Sequence, residues 1–210
     1  MIKAFIPEND IDEIIANTYV LGQHDKGCIV VDLGNPSEII SDYVKNNFKK
    51  CLGILLTHAH LDHTRAVDAF LSRFDYDIPV YLHEDDYEML MDDSLSGAAE
   101  GEHYVPNFDP KLIKDNQILI FGDTKIRVIH TPFHTKGSVC YLSEEDNALF
   151  TGDTLFAGSV GRTDLPGGDE NAMIPSLMKL KGLSDFLAVY PGHGKTTTLG
   201  FEKKNNPFLQ

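Results

Sequence analysis

Apolar residues along this chain fall into short runs of two kinds, and the two kinds alternate. Near-continuous apolar stretches at 18–21, 28–32 and 53–56 have the length of buried strands. Between the last two, Ile39, Ile40, Tyr43, Val44 and Phe48 recur at helical spacing and predict a helix over 36–50. Pro36 stands where a first helical residue tolerates a missing N–H. Beyond a cluster of histidines, Ala66, Val67, Ala69 and Phe70 mark a second amphipathic helix. A strand at 79–82 follows, then a helix at 84–91 whose acidic start, Glu84-Asp85-Asp86, suits the positive end of the helix dipole.

The second half repeats the scheme. Strands are predicted at 117–120, 125–129, 139–142 and 148–150, a helix at 170–180 and a last strand at 187–190. Gly122-Asp123 and Glu145-Asp146-Asn147 supply turns between them. The stretch 92–115 carries Gly, Ser, Pro and Asn without a sustained period and reads as a long loop. Two mixed sets of strands with helices outside predict an α/β fold, a four-layer αββα sandwich. At 210 residues, one domain over 1–210 is expected.

The formal net charge is -14, and basic residues form no run longer than the pairs Lys49-Lys50 and Lys203-Lys204. Phosphate-backbone affinity needs clustered cations, so the expected partner is a small-molecule substrate and not nucleic acid. Cys28, Cys51 and Cys140 are an odd number in strand-like segments, which suits buried thiols in a reducing compartment. The N-terminal stretch meets Pro7 and acidic residues before any signal-length apolar run, and no later run is long enough to span a bilayer. A cytoplasmic location without a membrane partner is therefore expected.

Chemistry concentrates where the strand at 53–56 runs into Thr57-His58-Ala59-His60-Leu61-Asp62-His63. His58 and His60, two apart in extended chain, face the same way and can share one ion. Asp62 and His63, at the start of the next helix, can turn to a second. Single candidates recur after later strands: His134 in Thr131-Pro132-Phe133-His134, Asp153 in Thr151-Gly152-Asp153 and His193 in Pro191-Gly192-His193-Gly194. Imidazole nitrogen mixed with carboxylate oxygen suits two divalent metal ions, zinc first, with iron or manganese tolerated. Such a cage leaves positions open for water, unlike a closed structural zinc site, so a non-catalytic scaffold is not expected.

Other candidates are weaker. His24, His83, His103 and His130 read as surface or satisfied structural histidines, with His130 placed to orient a ligand imidazole and His83 to line a pocket. Asp32 either hydrogen-bonds a ligand histidine or shapes the turn before Gly34. Arg162 is a candidate clamp for a substrate carboxylate, the alternative being a salt bridge to Asp164 or Asp169. Lys136 and Lys195 each follow a ligand histidine by two residues and either steer anions or are simply solvated.

The order and spacing of these motifs resemble the metallo-β-lactamase superfamily, and within it the small glyoxalase II-like (hydroxyacylglutathione hydrolase) branch, over almost the whole chain. The resemblance implies that His58, His60 and His134 bind a first metal and Asp62, His63 and His193 a second, with Asp153 bridging both. The segment from Gly152-Asp153-Thr154-Leu155-Phe156 to Gly161-Arg162-Thr163-Asp164 is also similar to persulfide dioxygenases, which implies an alternative, a mononuclear iron enzyme. Two departures stand out. Family members acting on glutathione thioesters carry a C-terminal helical domain, whereas this sequence ends shortly after Gly194-Lys195; and Phe133 replaces a usual glycine, which is expected to reshape the pocket.

Two ions sharing a carboxylate lower the pKa of bound water from 15.7 to about 7 and supply a hydroxide nucleophile, which Asp62 is placed to orient as a catalytic residue. A thiol, with a pKa of about 8.5, departs without a proton donor, and the motifs contain no separate general acid. Thioester hydrolysis is therefore the expected activity. No cysteine occupies a ligand position, unlike the metallo-β-lactamases that use a thiolate, and the acidic charge argues against a nuclease.

Overall fold

The computed structural model describes residues 1–7, 15–24, 26–34, 37–97 and 103–210. Within them the first sheet carries, in chain order, β1 (Ile2–Phe5), β2 (Thr18–Gln23), β3 (Gly27–Val31), β4 (Cys51–Leu55), β5 (Val80–His83) and β6 (Lys111–Ile113). β1, β2 and β3 pair antiparallel; from β3 to β6 the pairing is parallel. Parallel neighbours need crossovers. These are α1 (Ser37–Asn47) between β3 and β4, then α2 (Leu61–Thr64) and α3 (Val67–Leu71) between β4 and β5, and α4 (Tyr87–Leu90) and α5 (Asp93–Ser96) before β6.

The second sheet starts as an antiparallel meander of β7 (Ile118–Phe121), β8 (Thr124–His130), β9 (Val139–Ser143) and β10 (Ala148–Gly152). A small ribbon of β11 (Leu155–Phe156) and β12 (Ser159–Val160) leads to α6 (Glu170–Lys181). β13 (Ala188–Pro191) then joins parallel to β10, β14 (Thr197–Thr198) closes that edge, and α7 (Leu199–Asn205) follows.

Period-two alternation divides the apolar residues between layers. Ile29 and Val31 of β3 enter the core between the sheets with Tyr19, Leu55, Tyr141 and Phe150, while Cys28 and Val30 face Ile40, Val44 and Phe70 of α1 and α3. In β9, Val139 and Tyr141 point inward and Cys140 and Leu142 point out to Leu177, Leu180 and Leu199 of α6 and α7. Strands buried on both faces read as continuous apolar runs. The αββα sandwich is thus the one the pattern predicts.

The differences have physical reasons. The single amphipathic helix expected after the histidines is split into α2 and α3, because Leu33 N–H donates to His63 O (2.8 Å) and Ala66 N–H to Leu33 O (3.0 Å), bonds that replace helical ones. Helices of four and five residues are far below the ~12–15 that stand alone, so burial of Leu61 in α2 and of Val67 and Phe70 in α3 holds them. The segment 84–91 is a 3-10 turn (Glu84–Asp86) followed by α4, and the expected loop 92–115 contains α5 and β6. β6 offers too few residues, with Leu112 exposed, for any period to register. Ile39, counted toward the helix's buried face, is 65% exposed. β1, β11, β12, β14 and α7 were not anticipated, and Pro36 lies outside the described residues. All three cysteines are buried and free, and no described helix is long and apolar enough to cross a membrane.

Two bonds tie the sheets together at the rim where β4 ends: Val139 N–H donates to Thr57 O (2.9 Å) and the buried Tyr141 hydroxyl donates to Leu56 O (2.7 Å). Tyr141→Phe keeps the ring and removes that donor, so unfolding free energy should fall by about 1–2 kcal/mol, read as a lower urea midpoint at constant m-value.

Candidate metal centre

β4 delivers its chain in extended form past Leu55, and His60 is still extended (φ -63, ψ 144) when α2 begins, which puts Asp62 and His63 in that helix's first turn. β8, β10 and β13 end at the same rim and contribute His134, Asp153 and His193 from the loops that follow. All seven sequence-predicted ligands converge. His60 Nδ1 lies 3.1 Å from His58 Nε2 and 3.0 Å from His134 Nε2. His193 Nε2 lies 3.1 Å from Asp62 Oδ2 and 3.3 Å from His63 Nε2. Asp153 sits between the two groups, with Oδ1 3.3 Å from His63 Nε2 and Oδ2 3.5 Å from both His134 Nε2 and His193 Nε2.

Partners behind the rings set their orientation. Asp32, buried and left-handed at φ 54, accepts from Thr57 N–H (2.8 Å), Thr57 Oγ1 (2.8 Å) and His63 Nδ1 (2.9 Å). Thr57 Oγ1 also lies 3.1 Å from His58 Nδ1, and His134 Nδ1 donates to Arg162 O at 2.8 Å. With those Nδ1 positions committed outward, the Nε2 atoms of His58, His63 and His134 face in. His60 is reversed and presents Nδ1; its buried Nε2 has no hydrogen-bond partner among the described residues. Gly192 is required by close approach, since a Cβ there would strike Asp153 Oδ1 and the His63 ring.

This donor set fits a pair of cations. Imidazole lone pairs 3.0–3.1 Å apart repel one another, and tetrahedral zinc with Zn–N of about 2.0–2.1 Å places neighbouring ligand atoms roughly 3.3 Å apart. Asp153 Oδ1 is buried without a hydrogen-bond partner, the condition a cation relieves. Burial, reinforced by the neighbouring imidazoles, drives His58 well below the usual histidine range, and burial with His134 brings His60 down to about 4, so both are neutral ligands at neutral pH. His63 goes the other way: burial opposes its charge, yet Asp62, Asp32 and Asp153 raise it. Burial likewise opposes charge on Asp62 and Asp153, but His63 and His193 hold both carboxyls below their ordinary value.

Two expectations need correction, those for Phe133 and Asp86. Phe133 is fully buried among Ile129, Leu155 and Leu177 beneath α6, so its ring packs the outer core and does not shape the pocket. Asp86, read only as part of an acidic helix start, is fully buried and accepts three hydrogen bonds beside the site. Arg162 is exposed and forms a two-pronged salt bridge to Asp164 (2.7 Å to each oxygen), while its carbonyl does the orienting of His134. Lys136 and Lys195 are exposed. The sequence reading also missed Asn17 and Tyr19, which grip the His193 loop: Asn17 Nδ2 donates to Pro191 O (3.0 Å) and Gly194 O (2.9 Å), and the Tyr19 hydroxyl to Pro191 O (2.7 Å). Their signal was faint, a polar pair opening an apolar strand.

His83 stacks on His130 with ring centroids 3.9 Å apart and planes at 18°. Although these rings and Asp85 come close together, near-parallel planes send their lone pairs side by side, and His130 Nε2 is committed to Lys136 O (2.8 Å). That trio does not suit a metal. His24 stacks on Phe48, and His103 pairs with Asp93 at the surface.

Fold and site together define a metallo-hydrolase scaffold, and the chain belongs to the metallo-beta-lactamase superfamily, whose profile matches residues 11–193. It is 37% identical to the probable metallo-hydrolase YqgX of Bacillus subtilis over 95% of this chain and 94% of that one. It is 32% identical to the hydroxyacylglutathione hydrolase GloC of Haemophilus influenzae over 92% of each. Among solved structures, the BLEG-1 B3 metallo-beta-lactamase superposes with a TM-score of 0.88 at 37% identity over 100% of both chains. TTHA1623 in a di-iron-bound form gives 0.80 at 36% identity, over 92% of this chain and 95% of that one.

The His83–His130 stack carries a pH prediction. Burial, then the charge of His130, lowers His83 from 6.5 to about 4, so folding favours its neutral form. That contribution is complete above pH 6.5 and is lost as pH falls through 4. His83→Gln should make the decline of the urea midpoint across that window shallower; a slope equal to the parent's would refute the assignment.

Proposed function

We propose that this chain is a binuclear metal-dependent hydrolase acting on thioesters of the hydroxyacyl-thiol kind. One observation carries the reading: two trios of ligand atoms, each within 4.8 Å, flank the single carboxylate of Asp153. His58, His60 and His134 would hold one ion, and Asp62, His63 and His193 the other. Bound there, the ions supply an activated water with a pKa of about 7 and polarise the scissile carbonyl. Zinc suits the mixed nitrogen and oxygen donors, and the di-iron form of TTHA1623 supports iron as an alternative.

Access is one-sided. His58 and His63 are buried, whereas the side chains of His193 and Asp62 are 28% and 20% exposed, so substrate approaches across the second trio. Asp62 there would accept a hydrogen bond from the nucleophile and fix its direction. Among the described residues, every histidine and carboxylate of the two trios is a proposed ligand, and Asp32 is bonded to one of them. No acid is left to protonate an amine, whereas a thiolate with a pKa of about 8.5 leaves unaided. The similarity to GloC supports the same substrate class. Arg162, at the rim, is the proposed contact for a substrate carboxylate once released from Asp164. The buried free thiols support a cytoplasmic setting.

Zinc-loaded protein should hydrolyse S-lactoylglutathione, followed by loss of thioester absorbance. Asp153→Asn should lower kcat by more than about 100-fold, beyond the 10–100-fold range of residues that merely support ligands. A flat trace with two ions per chain would remove this substrate. One iron per chain together with oxygen uptake on glutathione persulfide would replace the hydrolase with a mononuclear iron persulfide dioxygenase.

A further inference from the structure

Asp86 belongs to neither trio and its hydrogen bonds go to none of the seven side chains. It enters from the turn after β5, is 0% exposed, and is met by donors from two other segments. Oδ2 accepts from Ala59 N–H (3.0 Å) and Thr135 Oγ1 (2.7 Å); Oδ1 accepts from Gly137 N–H (2.6 Å). Ala59 is the residue between His58 and His60, and Thr135 is next to His134. One carboxylate therefore clamps the chain that carries two ligands of the first trio to the chain that carries the third. Those chains come from different sheets, β4 in one and β8 in the other.

The clamp is built for a carboxylate. A Cβ on Gly137 would lie within 2.7 Å of the Asp86 side chain, so glycine there permits the approach. All three incoming groups are donors, which an acceptor-only side chain satisfies and an amide does not. No contact of comparable kind runs from Asp86 to Asp62, His63 or His193; His63 is held by Asp32 instead.

We infer that Asp86 is the positioning residue of the first trio: it sets the spacing of His58, His60 and His134 and so determines the affinity for the first ion but not the second. The inference rests on the two-ion reading above. Its negative charge, buried behind the trio, adds to the attraction for a cation there, since Coulomb interactions are little screened in the interior. Substituting partners behind metal ligands typically weakens metal binding 10–100-fold.

The test is cobalt(II) titration of chelator-stripped protein against a chromophoric competitor, with the visible cobalt bands as a second readout. In a His193→Ala background, which leaves the first trio intact, Asp86→Asn should weaken cobalt binding about 10–100-fold and shift the bands. In a His134→Ala background, which leaves the second trio intact, the same change should leave affinity and bands unaltered. Equal weakening in both backgrounds, or none in either, would overturn the inference. If Asp86→Asn does not fold, Thr135→Val removes one donor from the clamp and is judged by the same asymmetry. Uptake of a single ion by the parent protein would sink the two-ion reading alone, because the His193→Ala comparison still scores Asp86.

Discussion

Everything at the rim depends on holding ring nitrogens and carboxylate oxygens closer together than they would settle unaided. Five imidazoles and two carboxylates meet with nitrogen atoms as near as 3.0 Å. Asp62 and Asp153 draw His63 in, but the imidazoles of the first trio offer one another no such attraction. The frame has to be imposed from behind, by bonds that the ligands make with the rest of the chain. Asp32, the Arg162 carbonyl, Asn17 and Tyr19 each hold one segment at the rim, and Asp86 bonds to two.

That frame is rigid because of where the sheets join. The core between them, with Tyr19, Val31, Leu55, Tyr141 and Phe150, reaches up to the rim, and bonds from β9 to Leu56 and Thr57 lock the end of β4 to the opposite sheet. Ligands from the first sheet and ligands from the second are thereby fixed across a packed interior and not through flexible loops. The short helices α2 and α3 do little on their own. Their role is to end the extended run after His60 so that Asp62 and His63 turn back toward the second group.

Legibility in the sequence followed the same division. The candidate ligands were readable because metal chemistry needs particular residue types, and His58, His60, Asp62 and His63 crowd into one junction. The layered fold was readable because strands buried on both faces leave apolar runs that amphipathic helices interrupt. Supports were harder. Asp32 stood at a strand end facing the rim, so its bond to His63 was one of two open readings. Asp86 was hidden among Glu84 and Asp85, where a buried acid and two solvated ones are spelled alike. Phe133 misled for the same reason: beside His134 in sequence, its ring turns the opposite way, into the core under α6. β6 and the edge strand β14 left no period because so few of their residues are buried.

The arrangement also gives the centre a back and a front. His58 and His63, with Asp32 and Asp86 behind them, are sealed in the interior, while Asp62 and His193 meet solvent. Charge on the sealed side can attract cations with little screening but cannot touch substrate; charge on the open side is partly screened and available for chemistry. The two trios are thus unequal in surroundings although alike in number. The three-histidine group backs onto buried carboxylates that lie outside it, whereas the other includes the carboxylate of Asp62 itself. A substitution behind the first group and one within the second should therefore reach catalysis by different routes, the former through occupancy and the latter through the reacting groups themselves.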